Sequence, residues 1–188
     1  MSLSLSIQPL LTLTCYLHIW YDKRKQERTL RMEQKHTLYF PMFVDISQKN
    51  IIIIGGGNIA QRRIETLLDF AEHIQVIAPE VTDPIKEWDD LGKIHWICDQ
   101  YRPELLEGAE IVLAATNDPQ CNESVVRYCN ENKIMVNTAH KKEACDFFFP
   151  GIARSGNIVA GVTANGLNHK EAKKARECIS RALKEFYP

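Results

Sequence analysis

Four consecutive isoleucines, Ile51–Ile54, run directly into three glycines at 55–57, and this junction restricts the fold more than any other feature of the chain. A run of β-branched residues without polar alternation is typical of a strand that is buried on both faces of a parallel sheet. The glycines end the strand, and residues 58–70 then carry apolar side chains at helical spacing. The segment therefore predicts a strand, a tight turn and a helix.

The glycine turn also has the spacing of a dinucleotide-binding motif. Gly55, Gly57 and Ala60 match the pattern G-x-G-x-x-A between a buried strand and a helix. In this pattern the first glycine permits the turn, the second admits the backbone to a pyrophosphate, and the small third residue lets the helix pack on the sheet. Amide N–H groups at the helix start then bind phosphate oxygens. A glycine-rich loop without a ligand is the alternative.

Strand and helix patterns continue to alternate as far as His140, which predicts a parallel sheet with crossover helices. Apolar residues make up 45% of the chain, which excludes a disordered protein. We therefore expect an α/β fold of the Rossmann type, with an NAD-binding domain at residues 39–140. The further predicted strands are 74–78, 94–98, 111–116 and 134–137, the predicted helices are 83–91 and 119–132, and a turn or short helix is expected at 102–108.

After His140 the pattern changes to two apolar stretches that are close in sequence. Residues 147–149 and 157–163 predict a hairpin around a turn at 154–156. An exposed hairpin edge favours pairing with a second copy, so we expect a homodimer. Residues 141–188 are thus predicted to form a small strand-rich dimerisation segment and a short helical tail.

The helical tail has its own start signal. Asn168 precedes the helical pattern, and Glu171 follows three residues later, which is the spacing of a capping box. The sequence therefore predicts one amphipathic helix over residues 168–186.

The first 38 residues differ from the rest of the chain. Their apolar stretch at 7–21 is shorter than the roughly 20 residues that cross a bilayer. No basic residue precedes it, which argues against a secretory signal. We expect residues 1–38 to be a disordered or spurious extension, and a peripheral membrane anchor is the alternative.

Charge and cysteine usage restrict the partners and the compartment. The net charge of −1 gives no general attraction for nucleic acid or an anionic membrane, so we expect neither as a partner. Arg62 and Arg63 nevertheless form a small basic cluster. The six cysteines have no C-x-x-C spacing and are expected to be buried thiols of a cytoplasmic protein.

Polar residues after two further strands are candidate cofactor contacts. Glu80 lies twenty residues beyond Ala60, where a carboxylate can accept from ribose hydroxyls and would repel a 2′-phosphate, which favours NAD over NADP. A solvated loop carboxylate is the alternative. Thr116 and Asn117 follow the fourth strand and could reach the cofactor, whereas Asn117 and Asp118 could equally cap the next helix.

Several ordered motifs between Tyr39 and about Arg181 resemble the dehydrogenase module of siroheme synthases, the precorrin-2 dehydrogenases. The motifs are YFPMFVD, GGGNIAQRR, VIAPE, LAATNDPQCN, VNTAH, CDFFFPGIARSGNIVAGVT and ANGL. The resemblance implies a Rossmann domain, a dimerisation segment and a helical tail. It also implies the NAD-dependent oxidation of precorrin-2 to sirohydrochlorin. Some members of the family insert ferrous iron as well, which makes siroheme.

The resemblance also implies site residues. Asn58, Ile59, Pro79 and Glu80 stand where members of the family contact NAD, and Asn137 matches the asparagine that ends the family's fifth core strand. We therefore include these five residues among the candidate cofactor contacts.

His140 stands where the family has an aspartate that serves in catalysis and chelation. Histidine can act as a general base near neutral pH, so His140 is the candidate catalytic residue, and a strand-end histidine without a chemical role is the alternative. As a metal ligand it would need partners, for which Asp146 and His169 are candidates, but we assign no metal site. The family's Ser-Pro is replaced by Asn168-His169 and the tail is short, so we expect weak or no ferrochelatase activity.

Three functions stay open at this stage. The leading hypothesis is a precorrin-2 dehydrogenase, and the alternatives are a non-catalytic NAD-, tetrapyrrole- or metal-binding module and an oxidoreductase for another substrate. Lys141 and Lys142 could meet substrate carboxylates or simply form a solvated face. Met135 and the phenylalanines at 147–149 are expected to be packing residues.

Overall fold

The computed structural model describes residues 39–165 and 167–186, so the extension expected at 1–38 lies outside the described residues. Its main sheet consists of β1 (Ile51–Ile54), β2 (Ile74–Ile77), β3 (His95–Ile97), β4 (Ile111–Ala114) and β5 (Met135–Thr138). All neighbours are parallel, and the strand order is β3-β2-β1-β4-β5. This is the order of a Rossmann sheet, which confirms the predicted α/β fold.

Helices cover both faces of this sheet. They are α1 (Asn58–Leu67), α2 (Asp83–Asp90) and α3 (Pro119–Asn132), and a 3₁₀ turn spans Pro103–Leu106. Helices α1 and α2 pack with Ile51 and Ile53 on one face, and α3 packs with Ile52 and Ile54 on the other. No residue of β1 is more than 4% exposed, so the isoleucine run is buried on both faces as predicted.

Helix α1 is shorter than its apolar pattern suggests. The prediction extended it to Phe70, whereas the helix ends at Leu67. The Phe70 and Ala71 N–H groups both donate to the Leu67 carbonyl, at 2.8 and 2.9 Å, so the chain leaves the helix in a tighter turn. That turn brings the chain back to the sheet at β2.

The hairpin is confirmed, and its second strand lies within the predicted range, whereas its first strand lies later in the chain than predicted. Its strands are β6 (Gly151–Ser155) and β7 (Ile158–Val162), which pair antiparallel, and Gly156 makes the turn with φ +54°. The strand expected at 147–149 was wrong. Proline at 150 has no N–H to donate to a ladder, and the preceding residues bond to β5 instead.

Residues 145–149 run along the outer edge of β5. Asp146 N–H donates to the Val136 carbonyl at 2.9 Å, and the Asn137 side-chain amide donates to the Phe147 carbonyl at 2.7 Å. Phe147 and Phe149 pack against the core beside α1, which confirms that they are packing residues. Met135 is 41% exposed at the start of an edge strand and belongs to neither core cluster, so it is not a core packing residue.

The C-terminal helix begins as predicted. Helix α4 (His169–Phe186) is capped by Asn168, whose Oδ1 accepts from the N–H groups of Lys170 and Glu171, each at 3.1 Å. This satisfies two amides that have no acceptor within the helix. The helix packs against β6 and β7. Among residues 39–165 and 167–186, no helix combines the length and the apolar character that crossing a membrane requires.

The described cysteines are free thiols in different environments. Cys129 lies on α3 and is buried against the sheet. Burial raises the pKa of its thiol to about 12, so the thiol stays protonated at neutral pH. Cys98 and Cys178 are exposed, which corrects the expectation that all of these thiols are buried.

The buried sheet predicts a matched pair of stability effects. Leu113 in β4 is 1% exposed, so Leu113→Ala should lower the free energy of unfolding by about 2–5 kcal/mol, through lost burial and a cavity. Leu91 is 60% exposed, so Leu91→Ala should change it by about 0.5 kcal/mol or less. Urea unfolding followed by circular dichroism measures both. Equal losses in the two variants would contradict this account of the core.

Candidate functional site

The glycine turn follows β1 and touches the loops that follow both neighbouring strands. Gly55 has φ +109°, and a Cβ on it would lie 2.6 Å from the Ala115 carbonyl oxygen. A Cβ on Gly56 would lie 2.2 Å from the Glu80 carbonyl oxygen. Both positions exclude a side chain because backbone occupies the space. Gly55 therefore makes the tight turn that the sequence predicts.

Gly57 differs from these two glycines because it faces open space. No atom of the described residues lies within 4 Å of a Cβ built on it. It is the N-cap of α1 without a side-chain cap, and the first helical bond runs from Gln61 N–H to the Gly57 carbonyl at 2.9 Å. The amides of Asn58, Ile59 and Ala60 precede that bond and have no acceptor within the helix. The free space, these amides and the helix dipole fit a pyrophosphate.

The loop after β2 is held against the glycine turn. Thr82 N–H donates to the Gly56 carbonyl at 3.0 Å, and the Cys98 thiol lies 3.3 Å from the Pro79 carbonyl. The side chains of Pro79 and Glu80 are exposed. The Glu80 backbone thus touches the turn while its side chain is exposed, and the contact of its carboxylate with a ribose stays a prediction.

The loop after β4 is shaped by a residue that the sequence analysis missed. Asn122, 1% exposed on α3, accepts from Thr116 N–H at 3.2 Å and donates to the Thr116 carbonyl at 3.0 Å. Its Oδ1 also lies 2.9 Å from the Thr116 hydroxyl. A polar residue on the buried face of a predicted helix is the signal that could have found it. These bonds hold Thr116 beside Gly55.

The helix-cap alternative is correct for Asp118. Its carboxylate accepts from Gln120 N–H at 2.8 Å and so caps α3. Asn117 is exposed just before it. Thr116 therefore lies beside the glycine turn and Asn117 follows it, and the contact of both residues with a cofactor stays a prediction.

Asn137 presents an unpaired acceptor near the carboxyl end of β5. The residue is 4% exposed, and its Nδ2 donates to the Phe147 carbonyl. Its Oδ1 is buried without a hydrogen-bond partner among the described residues. A buried acceptor without a partner is costly, so this atom fits a donor supplied by a ligand, such as a carboxamide N–H.

His140 lies exposed just beyond the same strand. Its Nδ1 is 2.8 Å from the Thr138 hydroxyl oxygen, and Ala139 N–H donates to the Ala114 carbonyl at 2.9 Å. When Nδ1–H donates to Thr138, Nε2 is left as a proton acceptor. The geometry therefore permits the general-base role, which stays a prediction.

The proposed metal partners of His140 have other positions. The Asp146 carboxylate accepts from Val136 N–H at 2.8 Å and so holds the edge of β5, and His169 is the exposed first residue of α4. The described part of the chain contains no group of three or more His, Cys, Asp or Glu side chains placed to hold a metal ion.

The two lysines after His140 have partners within the protein. Lys142 Nζ donates to the Asn165 carbonyl and lies 5.7 Å from the centroid of the Phe148 ring. Lys141 forms an exposed ion pair with Glu123 at 3.9 Å. A substrate carboxylate would have to compete with these contacts.

Comparison with known proteins identifies the family. Residues 42–151, more than half of the chain, match the NAD(P)-binding family NAD_binding_7. The chain belongs to this NAD(P)-binding family. The matched range begins before β1 and ends where the hairpin begins, so it contains the glycine turn, Asn137 and His140.

Relatives of this NAD(P)-binding protein have names in siroheme synthesis. It is 35% identical to "Probable multifunctional siroheme biosynthesis protein HemA" of Ruminiclostridium josui, over 86% of this chain and 32% of that protein. It is 29% identical to siroheme synthase 1 of Pectobacterium atrosepticum, over 77% of this chain and 30% of that protein. The chain thus spans about a third of the length of the curated relatives it matches.

A solved structure agrees with these relatives. "SirC, precorrin-2 dehydrogenase" matches with a TM-score of 0.69 and 25% identity, over 77% of this chain and 70% of that one. Together with the siroheme synthases, this match confirms the resemblance inferred from the motifs.

The different surroundings of adjacent glycines give a direct test of the phosphate site. Gly57→Ala should keep the melting temperature close to that of the wild type, because its Cβ enters open space, but should weaken NAD⁺ binding about tenfold or more. Gly56→Ala is the matched control and should lower the melting temperature, because its Cβ meets backbone. Calorimetric titration and thermal melts measure both properties. Wild-type NAD⁺ affinity in Gly57→Ala would contradict the assignment.

Proposed function

We propose that this protein is an NAD-dependent precorrin-2 dehydrogenase, which oxidises precorrin-2 to sirohydrochlorin. The observation that carries the proposal is the edge formed by β1, β4 and β5, which are parallel neighbours. The glycine turn follows β1, Asn137 lies near the end of β5, and His140 follows β5, so all three lie toward the carboxyl edge of the sheet. Ligands of open α/β sheets bind at such an edge, where the strand order reverses. The names of the relatives supply the substrate.

Different residues of this edge would bind different parts of NAD. The open space at Gly57 and the first amides of α1 would hold the pyrophosphate, and Glu80 would accept from the adenosine ribose. The Oδ1 of Asn137 would accept from the carboxamide. The remaining contacts would come from Gly55, Asn58, Ile59, Ala60, Pro79, Thr116 and Asn117. Bound NAD⁺ supplies the hydride acceptor for the reaction.

His140 would take the proton. Converting precorrin-2 to sirohydrochlorin removes two electrons and two protons, one proton leaving with the electron pair as hydride and the other to a base. Nε2 would accept that second proton in the tautomer in which Nδ1–H donates to the Thr138 hydroxyl. The exposed position of His140 then lets the proton pass to solvent.

The oligomeric state and the cellular compartment are part of the same proposal. A two-stranded sheet leaves the outer edges of β6 and β7 without a partner strand in the described chain, and such edges favour pairing. We propose a homodimer that uses this hairpin and acts in the cytoplasm.

The role of His140 predicts a selective loss of rate. His140→Ala should lower kcat on the order of 10²-fold or more, because a general base contributes about that factor, and should leave NAD⁺ affinity unchanged within about twofold. Thr138→Val, which keeps the shape but loses the hydroxyl, should lower kcat less and shift the pH profile. NADH absorbance after mixing with precorrin-2 measures the rates.

Three results would contradict parts of this proposal. A wild-type protein that binds NAD⁺ but forms no NADH would be a binding module. A wild-type rate in His140→Ala would exclude that residue as the base. With sirohydrochlorin and ferrous iron we expect little siroheme, since histidine replaces the family's aspartate, and robust siroheme formation would overturn that expectation.

A further inference from the structure

The basic pair on α1 consists of two arginines in opposite environments. Arg62 is exposed, whereas Arg63 is only 9% exposed and shares its helix face with Ala60, Ile64 and Leu67. A guanidinium stays charged at every physiological pH. Burying such a group without a partner is costly, so a buried arginine normally has a carboxylate or several carbonyls around it.

Arg63 has neither kind of partner in the described chain. None of the ion pairs formed by the described residues includes it. Its Nη1 is buried without a hydrogen-bond partner among them. The guanidinium carbon lies 5.7 Å from the centroid of the Phe149 ring, which offers a weak attraction but no acceptor. Burial accordingly lowers the pKa of Arg63.

One neighbouring segment connects the Arg63 guanidinium with the edge of the sheet formed by β1, β4 and β5. Its neighbour Phe149 belongs to the segment 145–149, which also accepts the hydrogen bond from Asn137 through the Phe147 carbonyl. Segment 145–149 therefore contacts both Arg63 and Asn137. Each of these side chains has a buried atom, Nη1 and Oδ1 respectively, without a partner among the described residues. The same segment starts directly after the loop that carries His140.

We propose that Arg63 is an anion-recognition residue whose guanidinium pairs with an oxyanion of a bound reactant. The inference rests on the proposed function, which offers two sources of that oxyanion: a carboxylate of the tetrapyrrole and the pyrophosphate of NAD. The planar guanidinium presents pairs of N–H donors, whose geometry matches the oxygens of a carboxylate or of a phosphate. Among the described residues the guanidinium has no ion-pair partner, and binding of the reactant would supply one.

A matched pair of variants tests this assignment. Arg63→Met keeps an unbranched stem and removes the charged guanidinium, and Arg62→Met makes the same change at an exposed site. Because an unpaired buried charge is destabilising, Arg63→Met should melt at or above the wild-type temperature. It should also raise one dissociation constant at least tenfold, while Arg62→Met should raise none.

Two titrations identify the source of the oxyanion. NAD⁺ is titrated by calorimetry, and sirohydrochlorin, the tetrapyrrole product, is titrated by protein fluorescence. A weakened sirohydrochlorin complex in Arg63→Met assigns the carboxylate, and a weakened NAD⁺ complex assigns the pyrophosphate. Arg63→Lys keeps a charge but loses the planar pairs of donors, so its affinity should lie between those of the wild type and Arg63→Met; if Arg63→Met does not fold, Arg63→Lys alone must show weakened binding.

The outcomes separate this inference from the proposed function. A wild-type protein that binds both ligands but forms no NADH contradicts the proposed function, and the titrations still test Arg63. Unchanged affinities for both ligands in the folded Arg63 variants overturn the inference. A lower melting temperature with unchanged affinities does so as well, because it assigns Arg63 a purely structural role.

Discussion

Three stretches of main chain meet at the glycine turn, and the site depends on this contact. Gly55 lies against the loop after β4, and Gly56 lies against the loop after β2. Because neither glycine carries a side chain, backbone approaches backbone at distances that a Cβ would forbid. The buried sheet beneath keeps β1 in register with both neighbours, so the loops that leave these strands end at one edge. A cofactor that crosses this edge can then meet main-chain amides without intervening side chains.

Not all polar groups near this edge find a hydrogen-bond partner in the described part of the chain. Asn122 forms hydrogen bonds with the backbone of Thr116 in the loop after β4. Asp146 accepts from the Val136 N–H at the edge of β5. Asn137 Oδ1 and Arg63 Nη1, in contrast, are buried without partners in the described residues. Groups of this kind lower the stability of a free protein and are retained where a ligand completes them. The satisfied groups position the loops, and the incomplete ones are the atoms for which we propose contacts with the reactants.

The sequence analysis was most accurate where structure depends on neighbouring residues. The isoleucine run, the glycine turn and the caps made by Asp118 and Asn168 follow from local backbone stereochemistry and local hydrogen bonds. The analysis was wrong at residues 147–149, which have the β-propensity of a strand. Their partners are Asn137 and the core beside α1, which lie at long range and are invisible in a local pattern.

The sequence by itself therefore determined the order of strands and helices, the phosphate-binding motif and the resemblance to precorrin-2 dehydrogenases, since each depends on short spacings along the chain. Only the tertiary structure decided that Asn122 holds the Thr116 loop, that the Thr138 hydroxyl lies 2.8 Å from His140 Nδ1, and that Arg63 is buried while Arg62 is exposed. The physical reason is that burial and pairing depend on which elements pack together. Two adjacent arginines are equivalent in a sequence, and packing of α1 against the sheet removes only one of them from water.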